Sequence, residues 1–262
     1  MRIAIVGAGA LGLYYGALLQ RGGIDVRFLL RRDYQAIREK GLRVESVRGD
    51  FHLAPVQGYR SPAEIGPVEL VLVGLKTFAN HRYRELIAPL LGADTMILTL
   101  QNGLGNEEKL AALFGAERVL GGVAFLCANR GEPGVVRHLG AGRVLVGEYL
   151  QGGSSRAERV AELFRGAGVE CQAVSDLLTA RWEKLVWNIP FNGLGVASTA
   201  GFDAVIAGDA HYVAPHSTLR LDGKEGQGLS RHSPALRGTT ADEGRSTICY
   251  LPSGIGPGSI HR

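Results

Sequence analysis

Gly7, Gly9 and Gly12 fall at the spacing G-x-G-x-x-G, between an apolar β-branched run, Arg2–Val6, and a helical stretch, Leu13–Gln20, ended by Gly22-Gly23. That order gives the spacing a mechanism. Gly7 permits a tight turn, Gly9 lets backbone approach a pyrophosphate, and Gly12 allows close packing of helix on strand. The helix N-terminus then offers unpaired N–H groups to phosphate. The chain holds 38 glycines, so the spacing counts only because of the strand and helix around it; a purely structural turn is the alternative. The next strand, Asp25–Leu30, ends in Arg31-Arg32. An NAD site usually carries Asp or Glu there for the ribose 2′-hydroxyl. A guanidinium suits a 2′-phosphate instead, so the sequence leans to NADP over NAD. The alternative is that both arginines are solvated and Asp33 caps the next helix. A third group lies far along the chain. Lys184, Asn188 and Asn192 recur at i, i+4 and i+8, on one face of a stretch, Leu177–Leu194, otherwise rich in apolar residues. Polar side chains there need partners. They form either a ligand-binding stripe on a buried helix or a solvent-facing one. Pro190 should kink or break that helix.

The elements that must position these residues alternate between apolar strands and amphipathic helices. Strands are expected at Val68–Val73, Thr95–Leu100, Arg118–Cys127 and Val169–Val174. Helices are expected at Tyr34–Lys40, Tyr83–Leu91, Glu107–Phe114 (capped by Asn106) and Arg156–Gly166. Leu42–Val47 and Phe51–Val56 read as a hairpin. Gly134–His138 and Arg143–Gly147 read as two strands joined around Gly140-Ala-Gly142. The pattern predicts a mostly parallel, doubly wound α/β sheet. In such sheets ligands sit beyond the carboxyl ends of the strands, which singles out Lys76 and Asn102. Each is placed to reach a cofactor; as plain loop residues they would be a solvated lysine and an Asn-Gly turn. The expected organisation is a dinucleotide-binding Rossmann domain over 1–175, the start of a helical domain over 176–202, and an irregular, poorly ordered tail over 203–262, which lacks sustained periodicity.

Composition sets bounds. Hydrophobic residues make up 45% and charged residues 21%, ordinary for a globular protein. No apolar run approaches the ~20 residues of a membrane span, and no leader is expected. Cys127, Cys171 and Cys249 are odd in number and far apart, which argues against a disulfide framework or metal site and fits a reducing cytoplasm. A net charge of +4 without a basic, aromatic-interleaved block gives nucleic-acid binding little support. It suits an anionic cofactor and substrate.

Gly7-Ala-Gly-Ala-Leu-Gly12, Arg31, Gly74-Leu-Lys-Thr77, Leu100-Gln-Asn-Gly-Leu-Gly105, Gly142-Arg-Val-Leu-Val-Gly-Glu148 and Trp182-Glu-Lys-Leu-Val-Trp-Asn-Ile-Pro-Phe-Asn192 come in an order and spacing that resemble the ketopantoate reductase (2-dehydropantoate 2-reductase) family over about residues 1–200. The resemblance implies NADPH-dependent reduction of ketopantoate to pantoate, on the way to pantothenate and coenzyme A. It implies that Gly7, Ala8, Gly9, Ala10, Leu11 and Gly12 hold the pyrophosphate and Arg31 the 2′-phosphate. Lys76, Asn102 and Ala128 would contact cofactor, and Asn102, Asn188 and Asn192 substrate. Lys184 would be the proton donor. Those types suit the chemistry: hydride delivered to a ketone carbon leaves an alkoxide, which a lysine ammonium can stabilise and protonate. Asparagine amides can fix the hydroxyl and carbonyl ends of a 2-oxo acid without adding charge.

The resemblance stops near residue 200. The family continues as an all-helical domain with a Ser-rich stretch and a later Glu; here Ser217-Thr-Leu-Arg-Leu-Asp222 only faintly resembles the former. The second domain is therefore expected to be truncated or aberrant, its end replaced through an internal deletion and frameshift. Translating the other two reading frames tests this: neither yielding helical, family-like sequence past Ala200 would rule it out. The corresponding expectation is a folded nucleotide-binding domain with weak or absent turnover. The alternatives are an NADP-binding protein without turnover and a reductase of another 2-oxo acid.

Overall fold

The computed structural model describes residues 1–186, together with the backbone of 211–214 and 217–220. The sheet is built around β1 (Arg2–Val6), whose last four residues are buried, as expected of a central parallel strand covered on both faces. The strands that follow are β2 (Asp25–Leu29), β3 (Leu42–Ser46), β4 (Phe51–Leu53), β5 (Gln57–Tyr59), β6 (Val68–Val73), β7 (Leu91–Thr99), β8 (Val119–Arg130), β9 (Val135–Glu148) and β10 (Cys171–Ala173). The spatial order is β4-β3-β9-β8-β7-β6-β1-β2-β5, with β10 also on β9. All pairs are parallel except β3–β4 and β8–β9. The expected α/β Rossmann-type sheet is thus present. β2, β1, β6, β7 and β8 run the same way, so their carboxyl ends share one edge.

The helices are α1 (Ala10–Arg21), α2 (Tyr34–Lys40), α3 (Pro62–Ile65), α4 (Tyr83–Ile87), α5 (Asn106–Phe114), α6 (Ser155–Gly166) and α7, described over 177–186. The core divides across the sheet. On one face Tyr14, Tyr15 and Leu19 of α1 and Val160 and Phe164 of α6 meet Ile3, Ile5 and Phe28. On the other, Tyr83, Ile87 and Leu110 pack on Ala4, Val6, Val71 and Ile97. A smaller cluster of Val123, Leu177 and Ala180 seats α7 on β8.

Several expectations need correction. The helix expected over Tyr83–Leu91 is an α-helical turn flanked by 3₁₀ segments, Thr77–Arg82 and Ala88–Leu90; Pro89 cannot continue an α-helix. Asn106 does not cap α5: Gly105, at φ 84°, is the N-cap, and Asn106 is the first helical residue and buried. Gly140-Ala-Gly142 is not a turn. It lies inside β9, a single 14-residue strand, where the pairing with β8 slips twice. Ala141 (φ 61°) and Gly142 (φ 118°) supply the left-handed backbone that a β-bulge uses. β5 was not foreseen. Cys127 is disulfide-bonded, against the expectation for the three cysteines, whereas Cys171 is a buried free thiol.

Met1–Leu185 belong to one compact unit and Val186 begins a second. Within the stretch expected to be irregular, His211–Ala214 and Ser217–Arg220 pair as antiparallel strands. Asn188, Pro190 and Asn192 lie outside the described residues, as does the rest of the expected tail, so the expected replacement of the helical domain's end falls there too. No described helix is long and apolar enough to cross a membrane.

Candidate active site

The glycine turn has the construction its spacing requires. Gly7 is at φ 101°, and a Cβ there would meet Leu75 N at 2.4 Å and Gly74 C at 2.5 Å. The turn therefore lies directly against the end of β6. A Cβ on Gly12 would meet Gly7 O at 2.3 Å, so α1 can approach β1 this closely only through glycine. Gly9 is different: a Cβ would meet nothing within 4 Å. Glycine is not needed there for packing, and the open space lies at the N-terminus of α1. Gly9 N–H donates to Gly7 O at 2.8 Å, leaving the N–H groups of the first helical turn, Ala10, Leu11 and Gly12, without intrahelical acceptors. No acidic residue occupies that turn. The cradle fits a phosphate group by shape and by polarity.

At the end of β2, Arg31 and Arg32 are exposed. Asp33 stands at the N-cap position of α2, as the alternative has it, but its side chain does not cap the helix. It is 2% exposed and makes no side-chain bond to its helix. Arg130, at the end of β8, donates to its Oδ2, and Gly134 N–H donates to its Oδ1 at 3.3 Å. Arg32 donates to Gly131 O at 3.1 Å. No metal-binding cluster of His, Cys, Asp or Glu occurs among the described residues.

At the end of β7, the ammonium of Lys184 donates to Asn102 Oδ1 at 2.7 Å and to Ala124 O at 2.6 Å. It lies 5.7 Å from the ring centre of Phe125. Desolvation, and then the nearby Arg181 cation, lower its pKa from the ordinary 10.5 to about 8. An ammonium has three N–H groups; two are held by protein, which leaves one for a ligand oxygen or solvent.

Two sets of buried groups hold this pair in place, and neither was legible beforehand. Arg181, one turn before Lys184 on α7, is 7% exposed. It donates to Glu107 of α5, which is 4% exposed, and to Gln101 O at 3.2 Å. Burial pushes the Glu107 carboxyl above its ordinary pKa, against the pull of Arg181. The second set is a chain of amides. Tyr83 Oη donates to Gln101 Oε1 at 2.5 Å, and Thr99 Oγ1 donates to the same atom at 3.0 Å. Gln101 Nε2 donates to Asn80 Oδ1 at 2.8 Å, Asn80 Nδ2 to Asn106 Oδ1 at 2.9 Å, and Asn106 Nδ2 to Asn102 O at 3.1 Å. Burial raises the Tyr83 phenol to about 12, which keeps it a donor. Each donor in the chain faces an acceptor, so the Asn102 backbone is fixed on a satisfied network.

The structure brings Lys184 and Asn102 into contact, and puts Gly7–Gly12, Arg31, Lys76 and Asn102 along one sheet edge. Lys76 is exposed on the loop after β6. Ala128 is half-buried on β8, where the strand pairing slips. Beside Lys184 on α7, Trp182 is 50% and Val186 68% exposed. The buried face of α7 is formed by Leu177, Ala180 and Arg181.

The chain is similar to known proteins. A 2-dehydropantoate 2-reductase from Nostoc sp. is 43% identical over 211 residues, 79% of this chain and 66% of that protein. One from Pyrococcus horikoshii is 34% identical over 74% of this chain and 63% of its own length. The crystal structure of 2-dehydropantoate 2-reductase from Geobacter metallireducens superposes with a TM-score of 0.73 at 71% identity, covering 74% of this chain and 64% of that one. The chain thus spans just under two thirds of the length of each. A family description, ketopantoate reductase PanE/ApbA, matches residues 3–151, more than half of the 262, and the chain belongs to that family.

Proposed function

We propose that the chain reduces a 2-oxo acid, 2-dehydropantoate, to the corresponding 2-hydroxy acid, pantoate, with NADPH. The observation that carries this is the Lys184 ammonium: it is held by Asn102 and Ala124 with one N–H left over, at the sheet edge that bears the glycine cradle. The Nostoc, Pyrococcus and Geobacter relatives are 2-dehydropantoate 2-reductases by name, which supports the reading. In this proposal residues 1–175 bind the nucleotide and 176–202 open the helical substrate domain, with 203–262 following. The setting would be the cytoplasm and the route to pantothenate and coenzyme A.

Gly7, Ala8, Gly9, Ala10, Leu11 and Gly12 would hold the pyrophosphate, Arg31 the 2′-phosphate, and Lys76, Asn102 and Ala128 further parts of the cofactor. Bound NADPH supplies a hydride to the carbonyl carbon. Lys184 stabilises the negative charge that grows on the carbonyl oxygen and gives that oxygen its proton. Asn102 aims the ammonium. Asn188 and Asn192, outside the described residues, are proposed to bind the hydroxyl and carbonyl ends of the substrate. A pKa near 8 leaves Lys184 mostly protonated at neutral pH yet able to release the proton.

A nucleotide-binding protein without turnover is the second reading, favoured by the exposure of Leu178, Trp182 and Val186 on the helix that carries Lys184. Titration of the purified protein with NADPH and NADH, followed by ketopantoate and then other 2-oxo acids, separates the readings. Tight NADPH binding with ketopantoate-dependent oxidation supports the proposal. Binding with no oxidation of NADPH by any 2-oxo acid supports the second. Oxidation that persists in Lys184→Gln would refute the assigned role.

A further inference from the structure

We infer that Arg130 is a positioning residue that sets the cofactor preference, by drawing the Asp33 carboxylate away from the site where a ribose 2′-oxygen would bind. The inference rests on the dinucleotide site proposed above. Asp33 follows directly on Arg31-Arg32, in the region where a carboxylate commonly selects NAD through its ribose hydroxyl. Free there, it would repel a 2′-phosphate. The structure withdraws it: Asp33 is 2% exposed, bonded to Arg130 across 97 residues of sequence and to the Gly134 N–H. Helix capping does not explain this burial, because Asp33 makes no side-chain bond to α2. Arg130 Nε has no hydrogen-bond partner although it is buried, so the guanidinium is held by the edge that meets Asp33. Arg32 is drawn in as well, 3.9 Å from Asp33 and bonded to Gly131 O. Burial, and then the Arg32 and Arg31 cations, lower the pKa of Arg130. The cations are therefore crowded here, an arrangement that a phosphate dianion would relieve. Arg130 thus acts through Asp33 and leaves Arg31 unopposed.

The test is equilibrium binding of NADPH and NADH, followed by nicotinamide fluorescence, to the full chain and to Arg130→Met, Asp33→Asn and the double variant. Arg130→Met keeps the apolar stem and frees the carboxylate. It should weaken NADPH about tenfold or more while changing NADH by less than about threefold. Asp33→Asn should keep the wild-type preference, and the double variant should regain it. Equal weakening of both nucleotides in Arg130→Met, or a double variant that stays indifferent to the 2′-phosphate, overturns the inference: Arg130 would then be structural or would touch the cofactor itself. If Arg130→Met does not fold, the double variant, without a stranded carboxylate, decides by the same criterion. A wild-type chain that binds neither nucleotide overturns the dinucleotide site itself, a result distinct from an unchanged preference.

Discussion

The Lys184 amine should titrate near pH 8 in the folded protein, and the proton-donating step should follow it. An ordinary lysine, at 10.5, stays about 97% protonated at pH 9; one at about 8 is then only about a tenth protonated. Single-turnover reduction of ketopantoate under saturating NADPH should therefore fall about tenfold per pH unit above pH 8. Lys184→Gln should lose roughly 10²–10⁴-fold in rate together with that limb. Desolvation is the larger cause of the shift and Arg181 the smaller. Removing the Arg181 charge should then move the limb upward only part of the way to 10.5. Between about 8 and 10.5 the unfolded chain binds the proton and the folded one does not, so the charged amine destabilises the fold below pH 8 and the penalty fades as pH rises through this window. The assay is stopped-flow NADPH absorbance from pH 6 to 11. An independent readout is the ¹³C shift of reductively methylated Lys184, assigned by its disappearance in Lys184→Gln. A rate that stays flat to pH 10, or a methylated amine that titrates at 10 or above, would sink the argument.

Other predictions bear on the parts that hold the site. Glu107→Ala should destabilise the protein by about 3–5 kcal/mol in urea unfolding, because it strands a buried guanidinium; a loss under about 1 kcal/mol would mean that Arg181 finds water instead. Gly9→Val should leave the thermal midpoint nearly unchanged, since a Cβ there meets nothing within 4 Å, while blocking NADPH binding. Gly12→Ala should do the reverse, costing stability first through the 2.3 Å approach to Gly7 O; equal effects of the two on stability would contradict the roles assigned to them. His138 is buried, stacked on Tyr14 at 4.4 Å and bonded to Ser46 Oγ at 2.9 Å, and burial lowers its pKa from 6.5. Stability should fall as pH drops below 6.5, where the unfolded chain takes up a proton more readily than the folded one; a urea midpoint with the same acid dependence in His138→Gln would exclude this histidine as the cause.

What could be read from the sequence was local. α2 and β6 end where expected because local signals stop them, Gly41 at φ 77° for the helix and turn residues for the strand. The glycine turn was legible for the same reason: strand, spacing and helix are contiguous. The failures share one cause. Gly140-Ala-Gly142 offers the same left-handed backbone to a turn as to a bulge, and only the long partner β8 makes it a bulge. Asp33 precedes a helix and looks like a cap; its actual partner is 97 residues away. Arg181 and Glu107 are 74 residues apart, and no periodicity links them. Their only local sign was a charged residue among the apolar residues of a helix, one turn from the lysine.

That hidden pair changes how the site is assembled. The described partners of Arg181 and Lys184 are Gln101, Asn102, Glu107 and Ala124, and all four belong to the loop after β7, to α5 or to β8. Lys184 is therefore fastened to the sheet that carries the glycine turn, and its distance from that turn is set by strand spacing and by a buried ion pair. A charge buried this deeply tolerates little displacement, because moving it away from its partner forfeits the attraction without recovering hydration. α7 is consequently held in one registry, with Lys184 one turn beyond the anchor and its amine on Asn102. Glu107, in the first turn of α5 and bonded to Arg181, should thus govern the chemistry as strongly as Lys184's own partner Asn102. Glu107→Gln keeps the shape and one acceptor but removes the charge, so it should lower the single-turnover rate and leave NADPH affinity intact. If rate and affinity fell together, the pair would be supporting the fold and not aiming the lysine.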